Sequence, residues 1–334
     1  MIDLVPTDEQ LEIAATAAKA AQSLTSRSTD DLSDDELEAL GRLTLFTLGL
    51  PAEAGGAGLG LAEEALVAVE LGAALAPVGL LAALVGAHAA ATSGDADLLD
   101  GIAAGRTRVG WVEPWTWVHD GEVTRWRAID TGRADVVVVA TPDGIALTER
   151  AAFEYTPVDV RFDRAATLAE ATRTGATLTA ADPGLLAHAR LLVAAALLGN
   201  ARRSMEMAVE YAKVREQFGV AIGTFQAVKH MCADMAVRID AANAAIFSAA
   251  VTRDAGITAD TDGISAKAVA SDAALRNAET AIQVFGGIGV TAECDAHLYV
   301  RRANLLQQLL GPIEFHQEAL VRHALARLDA TPSA

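Results

Sequence analysis

Cysteine is nearly absent from this chain of 334 residues: Cys232 and Cys294 are the only two. They lie at no metal-ligand spacing, so a disulfide framework is excluded, two reduced thiols are expected, and no metal site is expected. Aromatic residues make up 4%. Basic residues are short: 26 Lys and Arg stand against 44 Asp and Glu, a formal net charge of -18. A nucleic-acid or anionic-membrane surface needs a basic face and is not expected. Met1 to Pro6 holds no basic segment followed by an apolar run, so no signal peptide is read and a cytoplasmic location is expected. Leu71 to Thr92 carries no Asp, Glu, Lys or Arg, but Pro77, Gly79, Gly86 and His88 interrupt it. It reads as helices buried on most sides within a bundle, not as a membrane span.

What is present is Ala and Leu. Hydrophobic residues reach 52%, and with so few aromatics this composition favours helix as the majority state. Texture divides the chain into three expected domains: residues 1–105, helical; 106–180, a small abbreviated β domain; and 181–334, a helical bundle. In the first, Thr7 with Gln10 three residues later reads as a capping box, and Asp30 to Leu40 reads as a second capped helix. The glycines of Gly49 to Gly58 mark a loop, with helix resuming near Ala62. In the second, Val109–Val112, Val136–Ala140 and Val158–Phe162 read as strands, with turns at His119-Asp120-Gly121 and Pro142-Asp143-Gly144. In the third, apolar residues at intervals of three and four predict helices over Leu185–Gln217, Phe225–Ala255, Ser265–Phe285 and Cys294–Leu310, with a fifth after Pro312. Sparse charge on their faces predicts a four-helix-type bundle.

Two Gly-containing turns interrupt this helical sequence. Arg215-Glu216-Gln217-Phe218-Gly219 precedes Phe225-Gln226, and Gln283-Val284-Phe285-Gly286-Gly287-Ile288-Gly289 follows later. A planar guanidinium and glycines that let backbone N–H groups approach are what a pyrophosphate requires. An arginine closing a helix C-terminus and a plain glycine turn are the structural alternative; the two motifs together favour the ligand.

A helical domain, a small β domain and a helical bundle carrying these motifs in this order resemble the acyl-CoA dehydrogenase family. The resemblance covers nearly the whole chain and is strongest from Arg190 to Gly311; the run at 49–58 matches a looser N-terminal signature. It implies a mainly α fold and FAD as cofactor. Arg215, Gln217, Phe218, Phe225, Gln226, Gln283, Phe285, Gly286 and Gly287 are the implied cofactor-binding residues, largely toward the flavin of a neighbouring subunit, and Arg190 lies near the CoA moiety. The implied activity is α,β-dehydrogenation of an acyl-CoA thioester, with electron-transfer flavoprotein as acceptor and an oligomer as the working form.

The chain departs from that pattern in two places. The family's base is a carboxylate at one of two positions, which fall here on Leu310 and on Ala189, neither of which accepts a proton. No catalytic residue is therefore assigned. The flavin-ring loop also ends early, Val112-Glu113-Pro114 running straight into Trp115-Thr116-Trp117. For Trp115, Trp117 and Trp126, exposure or core packing is expected rather than a wall beside the ring. In the family, heteromeric enzymes of bacterial steroid side-chain catabolism pair a base-bearing subunit with a degenerate one. The chain resembles the degenerate partner, in an α2β2-type hetero-oligomer with a homologous subunit. The alternatives are a homo-oligomeric enzyme with a relocated base, Glu314, a flavin-free scaffold, or a flavin-dependent hydroxylase or oxidase on the same fold. His188 has no evident partner in the sequence and reads as structural.

Overall fold

The computed structural model describes residues 5–24, 32–120, 122–158, 163, 166–175, 181–257 and 261–329. Helices come first: α1 (Asp8–Ser23), α2 (Asp34–Arg42), α3 (Leu61–Ala73), α4 (Val78–Ser93) and α5 (Ala96–Ala103). The Thr7–Gln10 capping box forms as the sequence predicts. The second helix starts later than predicted: Ser33 caps it in a box with Glu36, and Asp30 and Asp31 lie outside the described residues. The uncharged stretch splits between α3 and α4, and α4 is buried around nearly its whole circumference.

Six strands follow: β1 (Val109–Pro114), β2 (Trp126–Ile129), β3 (Val136–Thr141), β4 (Gly144–Glu149), β5 (Phe153–Pro157) and β6 (Leu168–Arg173). They form one sheet in the order β4-β3-β1-β2-β6-β5, with β1 and β3 parallel. The Val136 to Val139 run lacks polar alternation because both faces are covered. Val136 and Val138 face the main core, whereas Val137 and Val139 join a second core with Trp126 and Phe153. Of the strand predicted over Val158–Phe162, Val158 lies just past the end of β5, and 159–162 lie outside the described residues.

The remainder is helical: α6 (Pro183–Val214), α7 (Gln226–Asp254), α8 (Asp262–Phe285), α9 (Ala296–Gln308) and α10 (Ile313–Asp329). The long helix stops short of the predicted Gln217, because residues 216–221 turn back as a two-stranded ribbon, β7 (Glu216–Gln217) and β8 (Val220–Ala221). Among the described residues, α6 and α7 are the helices long and apolar enough to cross a membrane, and 78% of the most apolar stretch of α6 is buried within the protein. α3 and α6 pack backbone to backbone: a Cβ on Gly72 would collide with the Ala196 carbonyl, and one on Gly199 with the Val69 carbonyl. The first helices and the last bundle thus share one core. A buried ion pair joins them to the β region. Arg302 on α9 donates from Nε to Asp163 Oδ2 at 2.7 Å, and its Nη1 reaches the Ala76 carbonyl between α3 and α4.

Candidate cofactor site

The last turn of α6 gives way at Arg215, whose backbone is extended and whose carbonyl accepts from Ile222 N–H at 2.8 Å. Between β7 and β8 the turn residues Phe218 and Gly219 both take positive φ, 53° and 79°. That is the geometry of a two-residue hairpin turn whose twist matches its strands. Phe218 pays for this conformation without burial in the chain: it is 94% exposed, and its ring meets Phe225 edge-on at 6.2 Å. Arg215 is exposed and its guanidinium has no hydrogen bond or ion pair among the described residues. Gln217 folds its amide onto the Glu216 carbonyl at 2.7 Å. Gln226 opens α7, exposed, just after Phe225.

The second motif meets the first through an aromatic stack. Phe285, the last residue of α8, lies 4.4 Å from Tyr211 of α6, so the C-terminal ends of the two helices are held side by side. Gly286 then takes φ 66° and ψ -146°, and a Cβ on Gly286 or Gly287 would meet no atom within 4 Å. Gln283 is exposed one turn earlier. An unpaired guanidinium and two glycines in open space at one end of a bundle can receive an anionic group such as a phosphate. Arg190 is not part of this group. It sits at the other end of α6, about 37 Å along the axis at 1.5 Å per residue. There it is half-buried with Nε lacking a partner, and burial pushes its guanidinium down to about 10.

Around Leu310 the chain is sealed. Leu310 is fully buried, and its N–H donates at 2.8 Å to Glu113 Oε2 from β1. This buried carboxylate beside the family's base position escaped sequence reasoning; the surviving Val112-Glu113-Pro114 was its only signal. Glu113 is spoken for: Trp111 Nε1 donates to it at 3.1 Å, and Arg127 of β2 donates through Nε at 2.8 Å and also through Nη2. With Leu310 N–H, the carboxylate has four donors. The same Arg127 Nη2 reaches the Gln308 carbonyl at 2.6 Å, and Lys267 Nζ reaches the Gln307 carbonyl at 3.0 Å and Ser271 Oγ at 3.2 Å. Cations therefore satisfy the orphan carbonyls at the C-terminus of α9, where they also suit the helix dipole. Burial pushes the Lys267 ammonium down to about 7, with Arg190 and Arg127 adding to the shift and Glu113 opposing it. His316 on α10 is buried with neither ring nitrogen hydrogen-bonded, and burial, then Lys267 and Arg190, hold it far below its ordinary value.

Aromatic side chains fill the space between the loop after β1 and α10. His119 stacks on Phe315 with ring centroids 4.0 Å apart and donates from Nε2 to the Phe315 carbonyl at 3.1 Å, while Trp117 lies 5.5 Å from the same ring. Trp126 packs on Phe153 in the second core, and Trp115 lies at the surface under the Arg125 guanidinium. These are the packing roles expected from sequence. His188 is different: it does have a partner, the buried Glu64, with His88 on the other side.

Comparison with known proteins agrees with this architecture. The family profile "Acyl-CoA dehydrogenase, C-terminal domain" matches residues 179–325, and "Acyl-CoA dehydrogenase, N-terminal domain" matches 7–98. Acyl-CoA dehydrogenase IpdE2 of Mycobacterium tuberculosis is 37% identical over 280 residues, 82% of each chain. Acyl-CoA dehydrogenase FadE34 of the same organism is 36% identical over 81% of this chain, but over only 39% of its own length. Among solved structures, butyryl-CoA dehydrogenase from Megasphaera elsdenii superposes with a TM-score of 0.81 at 22% identity, over 97% of this chain and 100% of that one. A variant of the Tcur3481–Tcur3483 steroid ACAD gives a TM-score of 0.80 at 25% identity, over 97% and 99%. On the two profiles and the IpdE2 match, this chain belongs to the acyl-CoA dehydrogenase family, oxidoreductases that act on CH–CH bonds.

Proposed function

We propose that the chain is the member of a hetero-oligomeric acyl-CoA dehydrogenase that completes a partner's FAD site and carries no catalytic base of its own. FAD is the cofactor expected of the family. When bound, it supplies the acceptor for the hydride lost from the β-carbon of the thioester. Arg215 pairs with the pyrophosphate, Gly286 and Gly287 offer backbone N–H groups to it, Gln226 and Gln283 bond the ribose or the adenine edge, and Phe218 and Phe225 supply apolar contact. A homologous subunit provides the α-proton base and the acyl pocket. A steroid-type CoA ester as substrate and electron-transfer flavoprotein as acceptor belong to the same reading.

The observation that carries the proposal is the state of the base position. Leu310 is buried and pinned by Glu113, and Ala189 is buried too. Glu113 cannot stand in for the base while four donors hold it. The aromatic packing of Trp117 and His119 on Phe315 leaves the chain's own ring region filled. In contrast, the Arg215 end exposes Val214, Phe218, Val220 and Val290, and only 28% of the most apolar stretch of α7 is buried. An apolar surface of this kind calls for a covering subunit.

The relocated-base alternative rests on Glu314. That residue is exposed in the first turn of α10, where the dipole favours an acid and no acyl group is enclosed. If it were the base, Glu314→Gln would abolish turnover; the proposal expects turnover of the assembled enzyme to be unchanged. The direct test is Arg215→Ala in the assembled complex. FAD content should fall at least tenfold, and undiminished FAD would favour a scaffold role.

A further inference from the structure

Glu64 of α3 is fully buried, and two histidines from other helices converge on it. His88 of α4 places Nε2 2.8 Å from Oε1, and His188 of α6 places Nε2 2.7 Å from Oε2. The imidazole centroids are 4.3 Å apart. Gly49 N–H also donates to Oε1 at 3.0 Å. We propose that Glu64, His88 and His188 form a site for a divalent transition-metal ion, zinc being the expected occupant.

Three observations point to an ion rather than to a simple hydrogen-bonded cluster. The first is direction. Glu64 Oε2 and His188 Nε2 pair at 2.7 Å, but the contact falls short of good hydrogen-bond geometry. A buried carboxylate oxygen and a buried ring nitrogen left without a good hydrogen bond cost up to about 1–3 kcal/mol each, and an ion accepts a lone pair from both. The second is spacing. The three donor atoms lie within 4.8 Å of one another, and bonds of about 2.0–2.2 Å to one zinc allow donor separations of up to about 4 Å, so binding one ion requires the side chains to close in by up to about 1 Å. The third is chemistry. Two neutral imidazoles and one carboxylate carry a single negative charge, and this donor set suits zinc and its first-row neighbours better than calcium or magnesium.

Both imidazoles keep some access to solvent, 16% for His88 and 12% for His188, while His188 Nε2 and Glu64 Oε2 are themselves buried. Three helices would be clamped together at the start of the Gly49–Gly58 loop. A Cβ on Gly49 would come within 2.6 Å of the Glu64 carboxyl carbon, so the loop and the donor set are built around each other.

The test is elemental analysis of the purified full chain after exchange into buffer with trace zinc, followed by chelation and replacement with cobalt(II). The proposal expects about one zinc per chain, a fall in thermal midpoint on chelation that zinc restores, and visible cobalt d–d bands. His88→Gln and His188→Gln should each weaken zinc binding at least tenfold. Glutamine can still donate to Glu64, so folding, followed by circular dichroism, should persist. Should either variant fail to fold, the chelation and cobalt spectra of the unaltered chain decide alone. A chain without zinc after exposure, with a thermal midpoint indifferent to zinc and chelator and no cobalt bands, overturns the proposal. So does full zinc retention in both folded variants. None of these readouts uses flavin or turnover, so failure here leaves the proposed subunit role standing.

Discussion

Lys267→Met probes the sealed floor beneath Leu310 through pH. Burial lowers the Lys267 ammonium from 10.5 to about 7. Between those values the unfolded chain binds the lysine proton and the folded chain does not, so folding stability rises with pH. Each unit is worth about 1.4 kcal/mol. Below pH 7 both states are protonated and the folded state bears the full penalty, about 5 kcal/mol for a shift of this size. Near pH 10 the penalty is almost gone. Methionine has a similar shape and does not titrate. Urea unfolding of the two proteins from pH 6 to 10 isolates the lysine and its immediate electrostatic neighbours, because titrations not coupled to Lys267 cancel in the difference. The unaltered chain should gain on the variant by about 1.4 kcal/mol per unit above pH 7 and keep a constant offset below it. A difference that stays flat from pH 7 to 10, or one that moves in the opposite direction, would refute the argument that Lys267 sits buried among Arg127, Arg190 and the ends of α9.

Other outcomes follow from the same packing. Phe218→Ser should change the unfolding free energy of the isolated chain by less than about 0.5 kcal/mol, since the ring is exposed, yet weaken assembly with a partner measured by sedimentation. Asp163→Ala leaves the buried Arg302 without its carboxylate and should destabilise the chain by about 3–5 kcal/mol in denaturant titration. Gly199→Val forces α3 from α6 and should cost more than about 3 kcal/mol, with the thermal midpoint lowered accordingly.

Much of the scaffold was legible from the sequence. The Thr7 capping box, the Val136 to Val139 run and the long apolar periodicities each carry a local physical signal. β2, β4, β5 and β6 were not legible. β2 has four residues, and β6 reads Leu-Ala-Glu-Ala-Thr-Arg, with little β-branched content to mark it. The end of α6 was overrun by three residues because a helix-compatible Glu-Gln pair conceals the hairpin at Phe218-Gly219. The two Gly motifs were legible as motifs, and the Tyr211–Phe285 stack is what brings them to one end of the bundle. The contacts at Glu113 and at Glu64 were invisible for a different reason. Their partners, Arg127 and Leu310 in one case and His88 and His188 in the other, come from segments far apart in the chain. Only tertiary packing makes them neighbours, and burial then decides their charge.

The central claim is that this chain holds the nucleotide half of FAD for a ring and a base that belong to another subunit. It is tested most directly by the flavin absorbance of the full chain purified alone with added FAD, measured beside a co-purified complex with a base-bearing homologous subunit. The account predicts a colourless lone chain with no thioester dehydrogenation and a yellow, active complex. A lone chain with stoichiometric FAD that oxidises an acyl-CoA would contradict it.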